Sequence, residues 1–144
     1  MLNLNRRIFY VTNTSSEINL ENNTITNKDS TGSFVRVEAD SWGNTGSNGG
    51  TVTLNMTNQK TVGNIVIDSI STLTMNLTNK SYYEGVINSD NSAKSIILKL
   101  DKTSSIKLTD DSYITSLDNS DSTNSNIDFN AYKLYVNGKE IKSN

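Results

Sequence analysis

One short strand motif recurs along this chain in nearly the same letters, and this repetition constrains the fold more than any other feature. Residues 51–58 (TVTLNMTN) and 72–79 (TLTMNLTN) are almost identical. Further copies occupy residues 17–22, 95–102 and 131–138. The equivalent residues Leu54, Met75 and Leu98 are 21 and 23 positions apart. A period in the twenties that is carried by strands predicts a β-solenoid.

The composition agrees with a solenoid. Asn, Ser and Thr account for 59 of the 144 residues, and only 33% are hydrophobic. The Ile, Leu and Val residues fall mostly at alternate positions, which indicates strands. A solenoid needs few apolar residues because all its coils share one narrow core, and Asn suits its turns. We therefore predict an all-β, single-stranded β-solenoid in one domain over residues 1–144.

Three strand positions per coil can be followed along the sequence. Leu54, Met75 and Leu98 are expected to form one interior column, which Leu134 closes, while Val35 and Ile65 belong to another. The second strand includes residues 24–26, 82–83 and 106–108, and the third includes residues 34–37, 65–67, 86–87 and 113–117. Two insertions interrupt the repeat: a glycine-rich loop at residues 41–50 and a polar loop at residues 118–126.

Several classes of site and location are excluded or disfavoured. The chain has no Cys and no His, so thiolate metal sites, disulfides and histidine-based catalysis are absent. The start from Met1 to Arg7 has no apolar run of signal-peptide length, and we expect no membrane insertion and no nucleic-acid partner. Because a coil is already under way at residues 8–11, we expect an N-terminally truncated part of a secreted or bacterial cell-surface protein.

Oxygen-bearing side chains follow the third strand of successive coils. These residues are Glu38, Asp40, Asp68, Asn88, Asp90 and Asp118. Neighbouring coils stack about 4.7–4.9 Å apart, which lets two carboxylates grip one calcium ion. The sequence therefore predicts calcium at this corner, although Asp and Asn are also ordinary turn residues. Asp110 and Asp111 form a second acidic pair, for which a metal site and a plain polar turn remain open.

Four side chains are candidates for binding a sugar. Trp42, the only tryptophan, could stack on a sugar ring or fold back over the solenoid edge. Tyr82 and Tyr83 are neighbours on a strand, so one should face inward and the other outward. Arg36 should face solvent beside the acidic corner and pair with a carboxylate of the protein or of a ligand.

Several segments together resemble a family of bacterial carbohydrate-binding β-helix proteins from cellulolytic clostridia and gut bacteria. The resemblance lies in residues 42–50, 63–73, 83–88, 98–101, 108–113 and 134–138. It implies a right-handed parallel β-helix, like that of pectate lyases, that is secreted or surface-attached. It also implies binding of calcium, of acidic plant polysaccharides such as polygalacturonate, and of cellulose. This chain departs from the family at Ile106, where a tryptophan is expected.

Three functions are consistent with these features. The first is a non-catalytic carbohydrate-binding module or adhesin in which calcium bridges protein and uronate carboxylates, because a net charge of −2 gives no attraction for a polyanion. The second is a pectate-lyase-like enzyme with Arg36, Lys60 or Lys107 as the base. The third is a structural surface stalk without a ligand. We expect the first, and the oligomeric state is left open.

Overall fold

The computed structural model describes residues 7–144, and within them every regular element is a β-strand. The strands are β1 (Arg7–Val11), β2 (Ser15–Glu21), β3 (Thr24–Thr26), β4 (Ser33–Val37), β5 (Thr51–Thr57), β6 (Lys60–Val62), β7 (Ile65–Ile67), β8 (Thr72–Thr78), β9 (Tyr82–Gly85), β10 (Ser95–Leu100), β11 (Ser105–Leu108), β12 (Ser112–Ile114), β13 (Ser116–Asn119), β14 (Ile127–Asp128), β15 (Leu134–Val136) and β16 (Lys139–Ile141). The first six residues, where the sequence shows no run of signal-peptide length, lie outside this range.

The strands stack into a parallel β-solenoid of about six turns, as the repeat predicts. The first sheet has the order β13-β10-β8-β5-β2, and the second sheet has the order β14-β11-β9-β6-β3. The third side consists of a β1-β4-β7 sheet and, further along the axis, a β12-β15-β16 sheet. A parallel bridge from Ile65 to Ile87 and the backbone bond from the Tyr113 N–H to the Ile87 oxygen connect these two sheets.

The predicted interior columns are confirmed. Leu54 pairs in register with Met75, which pairs with Leu98, and all three are fully buried. Val35 pairs with Ile65 on the third side, and both are buried. Burial alternates along the first sheet, so every second side chain of β5 and β8 enters the core.

The last coil differs from the prediction. Leu98 is followed in its column by Leu117 of β13, whereas Leu134 pairs with Ser112 in the β12-β15-β16 sheet. Residues 113–117 therefore contain the third strand of one coil and the first strand of the next. The antiparallel pairing of β15 with β16 then ends the parallel stack. The prediction for Leu134 is wrong because the strand that Leu134 begins shows the same alternation of apolar and polar residues as the strands of the first sheet.

The abundant Asn and Ser residues stabilise the turns. Asn22, Asn58 and Asn79 follow the first sheet on successive coils with φ of 53°, 47° and 53°. Asn tolerates this left-handed conformation better than most side chains. Inside the same turn, the buried Ser81 hydroxyl accepts from the Gln59 N–H at 3.1 Å, and Ser104 accepts from the Ser81 N–H at 3.1 Å. The described residues contain no helix with the length and hydropathy needed to cross a bilayer.

The first-sheet column should dominate the stability of the fold. We expect Leu98→Ala to lower the free energy of unfolding by about 2–5 kcal/mol, since the fully buried side chain leaves a cavity between two coils. Its exposed neighbour Lys99→Ala is the matched control, expected to change stability by less than about 0.5 kcal/mol. Urea titration followed by circular dichroism measures both, and equal losses would contradict the assigned column.

Candidate functional site

The outer face of the second sheet carries a groove that crosses the first three of its strands. Its central part has a volume of about 530 Å³. The lining residues are Thr24, Thr26, Lys28, Lys60, Val62, Tyr82 and Glu84. Thr24, Lys60 and Tyr82 are register partners on β3, β6 and β9, so they form one outward row across the coils. The groove is therefore built by the stacking of coils and not by one local motif.

Two further depressions share residues with this central part. On one side, a depression of about 520 Å³ includes Lys60, Thr24 and Lys80. On the other, a depression of about 470 Å³ includes Lys28, Glu84, Asn64 and Asp110. The groove thus continues beyond the second sheet in both directions.

Tyr82 and Glu84 are fixed to each other within the groove. The Tyr82 hydroxyl donates to Oε1 of Glu84 at 2.9 Å, and the Lys60 Nζ lies 5.9 Å from the centre of the Tyr82 ring. Partial burial, followed by the bond to Glu84, raises the pKa of Tyr82 to about 12. Tyr82 is therefore a neutral aromatic side chain with a defined orientation at ordinary pH. Tyr83, by contrast, is fully buried and donates to the Gly63 oxygen at 2.7 Å, which confirms the predicted alternation.

The groove combines several lysines with few nearby partners. Within residues 7–144, the structure contains one ion pair, Arg36 with Glu38 at 3.3 Å. Lys28, Lys60 and Lys80 are exposed, and none of them lies within ion-pair distance of a described carboxylate. An ammonium group without a protein partner is available to an anionic ligand. The charges are divided along the groove: the depression at Lys60 and Lys80 has no carboxylate in its lining, whereas the depression at Lys28 also contains Asp29, Glu84 and Asp110.

The predicted acidic corner is only partly assembled. Val37 and Ile67 are register partners, so Glu38 and Asp68 follow equivalent positions, as expected. Each carboxylate there is nevertheless occupied by the protein. Glu38 pairs with Arg36, and Asp68 accepts from the Ala39 N–H at 2.7 Å and the Ile70 N–H at 3.3 Å. Asp40 accepts from the Tyr10 hydroxyl at 2.7 Å and from the Ser41 N–H at 2.7 Å, and the Tyr10 bond is the main cause of its lowered pKa.

Two of the remaining predicted calcium ligands, Asn88 and Asp118, do not continue this corner. Ile87 pairs with Ile65 and not with Ile67, so Asn88 lies two positions out of register with Asp68. Asn88 is buried, and its Oδ1 accepts from the N–H groups of Ser92 and Ala93. Asp118 belongs to β13 of the first sheet, where it pairs with Lys99. The predicted alignment of Asn88 and Asp118 with Asp68 is therefore wrong.

The acidic turn residues serve the backbone instead of meeting at one point. Asp110 accepts from the Asp111 N–H at 2.8 Å, and Asp111 accepts from the Lys133 N–H at 2.9 Å. Asp90 is an exposed turn residue. Nowhere in residues 7–144 do three acidic side chains converge around a position for a metal ion. Calcium binding at the corner therefore stays a prediction.

Trp42 projects from its loop into solvent, which agrees with the alternative of an exposed ring and not with that of a cover over the solenoid edge. Its side chain is 71% exposed, so it does not cover the core. The loop is held by Asn48, whose Nδ2 donates to the Asp40 and Trp42 oxygens at 2.8 and 3.0 Å. Trp42 and Arg36 thus lie near the acidic corner, whereas Tyr82 lies in the groove. The predicted sugar-binding residues are divided between two surfaces.

The groove lysines Lys28 and Lys80, and the anchoring residue Glu84, were not identified from the sequence. No local motif marks them, because Lys28 lies two coils before Lys80 and Glu84 and the groove forms only through register. One signal was present: Lys60 and Tyr82 are 22 residues apart, close to the length of one coil. Their outward positions on equivalent strands follow once the coil length is known.

The Tyr82–Glu84 bond predicts an alkaline transition. Below pH 10 the protonated phenol contributes its full stabilisation, and this contribution is lost as pH rises towards 12, because the folded-state pKa of Tyr82 lies above the ordinary 10.0. Spectrophotometric titration of the phenolate should show ionisation near pH 12. Tyr82→Phe should remove one tyrosine from that step, while Tyr10, whose pKa is also raised to about 12, remains as the internal control. An unchanged step near pH 12 would contradict the assigned bond.

Comparison with protein-family models, with curated proteins and with solved structures finds no match for this chain. We therefore infer its function from the geometry of the groove.

Proposed function

We propose that this chain is a non-catalytic carbohydrate-binding module that takes an acidic plant cell-wall polysaccharide, of the polygalacturonate type, into the groove of the second sheet. The observation that carries the proposal is the position of Tyr82 beside the exposed Lys60 in the central one of three contiguous depressions. Aromatic side chains combined with a few placed polar groups are typical of ligand sites. A secreted or cell-surface location follows from such a ligand.

The lysines provide the attraction that the whole chain lacks. A net charge of −2 gives no attraction for a polyanion, whereas the depression at Lys60 and Lys80 is lined by two lysines and no carboxylate. An ammonium group bound to a carboxylate forms a charge-assisted hydrogen bond, which is stronger than a neutral one. Uronate carboxylates along the polysaccharide can therefore be recognised directly, and no bridging calcium ion is required by this arrangement.

Tyr82 provides an apolar surface of fixed orientation beside these charges. Its hydroxyl is held by Glu84, and its ring lies half-buried against the sheet. A side chain that is already ordered loses little conformational entropy when a ligand binds. A sugar ring lying on Tyr82 would place its polar substituents towards Lys60 on one side and Glu84 on the other. The outward row of Thr24, Lys60 and Tyr82 crosses the coils, so it suits an extended chain better than a compact ligand.

The binding proposal is tested by calorimetric titration with polygalacturonate fragments. We expect Lys60→Ala and Tyr82→Ala each to weaken binding about ten-fold or more, since one removes a charge partner and the other the ring. Lys99→Ala, on the first sheet, removes the same charge from the opposite surface and should leave affinity unchanged. Binding should weaken as salt increases, because screening reduces the attraction between exposed charges.

Additional arms separate the alternatives. Trp42→Ala tests the surface near the acidic corner. If Trp42→Ala loses binding while Tyr82→Ala binds fully, the ligand lies on that surface and the groove assignment is wrong. A chelator should leave the affinity for polygalacturonate unchanged. Loss of that affinity on chelation would show that calcium bridges the protein and the ligand. Appearance of unsaturated product would identify a lyase. A folded chain that binds neither acidic nor neutral plant polysaccharide would favour the structural stalk.

A further inference from the structure

The hairpin that ends the stack turns through an exposed Asn-Gly pair. β15 and β16 pair antiparallel with Val136 opposite Lys139, which leaves two residues for the turn. These are Asn137 and Gly138, whose φ angles of 49° and 81° fit the type I′ turn that Asn-Gly favours. Both are exposed, and within residues 7–144 neither the side-chain amide of the first nor the N–H of the second makes a hydrogen bond. The amide and the nitrogen that follows it are therefore available to react with each other.

An Asn-Gly pair contains both an electrophile and a nucleophile. The backbone nitrogen of Gly138, once deprotonated, can attack Cγ of Asn137 and close a succinimide ring. The N–Cγ bond forms, the Cγ–Nδ2 bond breaks, and the amide nitrogen leaves as ammonia. Water then opens the ring at either carbonyl, which gives aspartate or isoaspartate. Glycine obstructs this attack least, because it has no Cβ and its backbone rotates freely.

A second Asn-Gly pair in the same chain lacks these conditions. Asn48 is buried, and its Nδ2 donates to the Asp40 and Trp42 oxygens at 2.8 and 3.0 Å. Gly49 lies against the next coil so closely that a Cβ there would be 2.5 Å from the Ile70 oxygen. Rotation of this pair into an attacking geometry would break contacts between coils. The structure therefore protects one Asn-Gly pair and leaves the other exposed.

The exposed turn can open without detaching the rest of the chain end. β16 is the edge strand of its sheet and pairs with β15 alone. Terminal and edge elements open with the smallest free energies in a fold. The Asn137 N–H donates to the Ile114 oxygen at 2.9 Å, so the attacked residue stays anchored to the neighbouring coil. Beyond β16, the Lys142 oxygen accepts from Nδ2 of Asn124 at 3.2 Å, so only the tip of the hairpin has to move.

We propose that Asn137 is a site of spontaneous deamidation that releases the terminal hairpin. Aspartate at this position can keep the left-handed conformation, which Asp tolerates. Isoaspartate runs the main chain through Cβ, and the lengthened turn no longer matches the twist of the paired strands. Release uncovers Ile141, which packs against the core, and the backbone edge of β15. The strands of the groove, β3, β6 and β9, belong to other coils and keep their pairing.

Ageing of the full chain at mildly alkaline pH tests the site. Trypsin releases Asn137 in a peptide of residues 134–139, in which it is the only amide side chain. We expect this peptide to acquire the mass of the acid in two chromatographic forms, one of them labelled by an isoaspartyl methyltransferase. Asn48 should be modified at least about ten-fold more slowly, because contacts between coils must open first. Asn137→Gly keeps a Gly-Gly turn of suitable type without an amide and should show no modification there.

Hydrogen exchange measured by mass spectrometry tests the release of the hairpin. The aged chain should lose protection in residues 134–141, whereas aged Asn137→Gly should keep it, and β8 should stay protected in both. If the 134–139 peptide is unmodified after ageing while the urea-unfolded chain is modified, the proposal is wrong. Equal modification of Asn48 and Asn137 also overturns it, since the fold would then not select between them. Modification with full protection of the hairpin shows that the turn absorbs isoaspartate and overturns the release.

Discussion

Parallel backbone hydrogen bonding between successive coils is the constraint on which the rest of the structure depends. It fixes the distance between coils and, through exact register, decides which side chains stack on one another. The register from Leu54 to Met75 and Leu98 produces the core column. The same register on the second sheet brings Thr24, Lys60 and Tyr82 into one row. The same strand pairing therefore determines both which side chains form the core and which side chains form the candidate site.

Polar groups inside the turns allow this pairing to continue with few apolar residues. At several turns a buried serine hydroxyl accepts a hydrogen bond from a backbone N–H of the neighbouring coil, as Ser112 does from Ile87 at 3.0 Å. Tyr83 fulfils a related role deeper in the core through its bond to Gly63. Buried N–H and C=O groups without partners would cost free energy that a narrow core cannot offset. The high content of Ser, Thr and Asn is thus part of what holds the coils together.

The sequence predicted the solenoid and its columns because alternation and spacing are properties of the chain itself. It failed at Leu134, because every strand shows a similar alternation and only the length of each coil tells which sheet a strand joins. The step from Leu98 to Leu117 is 19 residues, slightly shorter than the preceding coils, and this shift also moved Asp118 to the first sheet. The acidic corner is assembled only in part, for a different reason. Side-chain oxygens in turns bind nearby backbone N–H groups, and the sequence does not distinguish these from metal ligands. Lys28 and Lys80 escaped notice since the groove that they line depends on the registers of three coils.

The order of the strands in each sheet determines how local unfolding spreads through the molecule. Each coil contacts mainly the coil before it and the coil after it, so stability is close to a sum of nearest-neighbour interfaces. The central part of the groove draws on β3, β6 and β9, which belong to three consecutive coils. Fraying at the hairpin of β15 and β16 would have to cross the interfaces of β11 and β14 before it reached those strands. The binding surface is therefore protected from local unfolding at the β15–β16 end of the stack, whereas its own edge strand β3 lies at the opposite end of the second sheet.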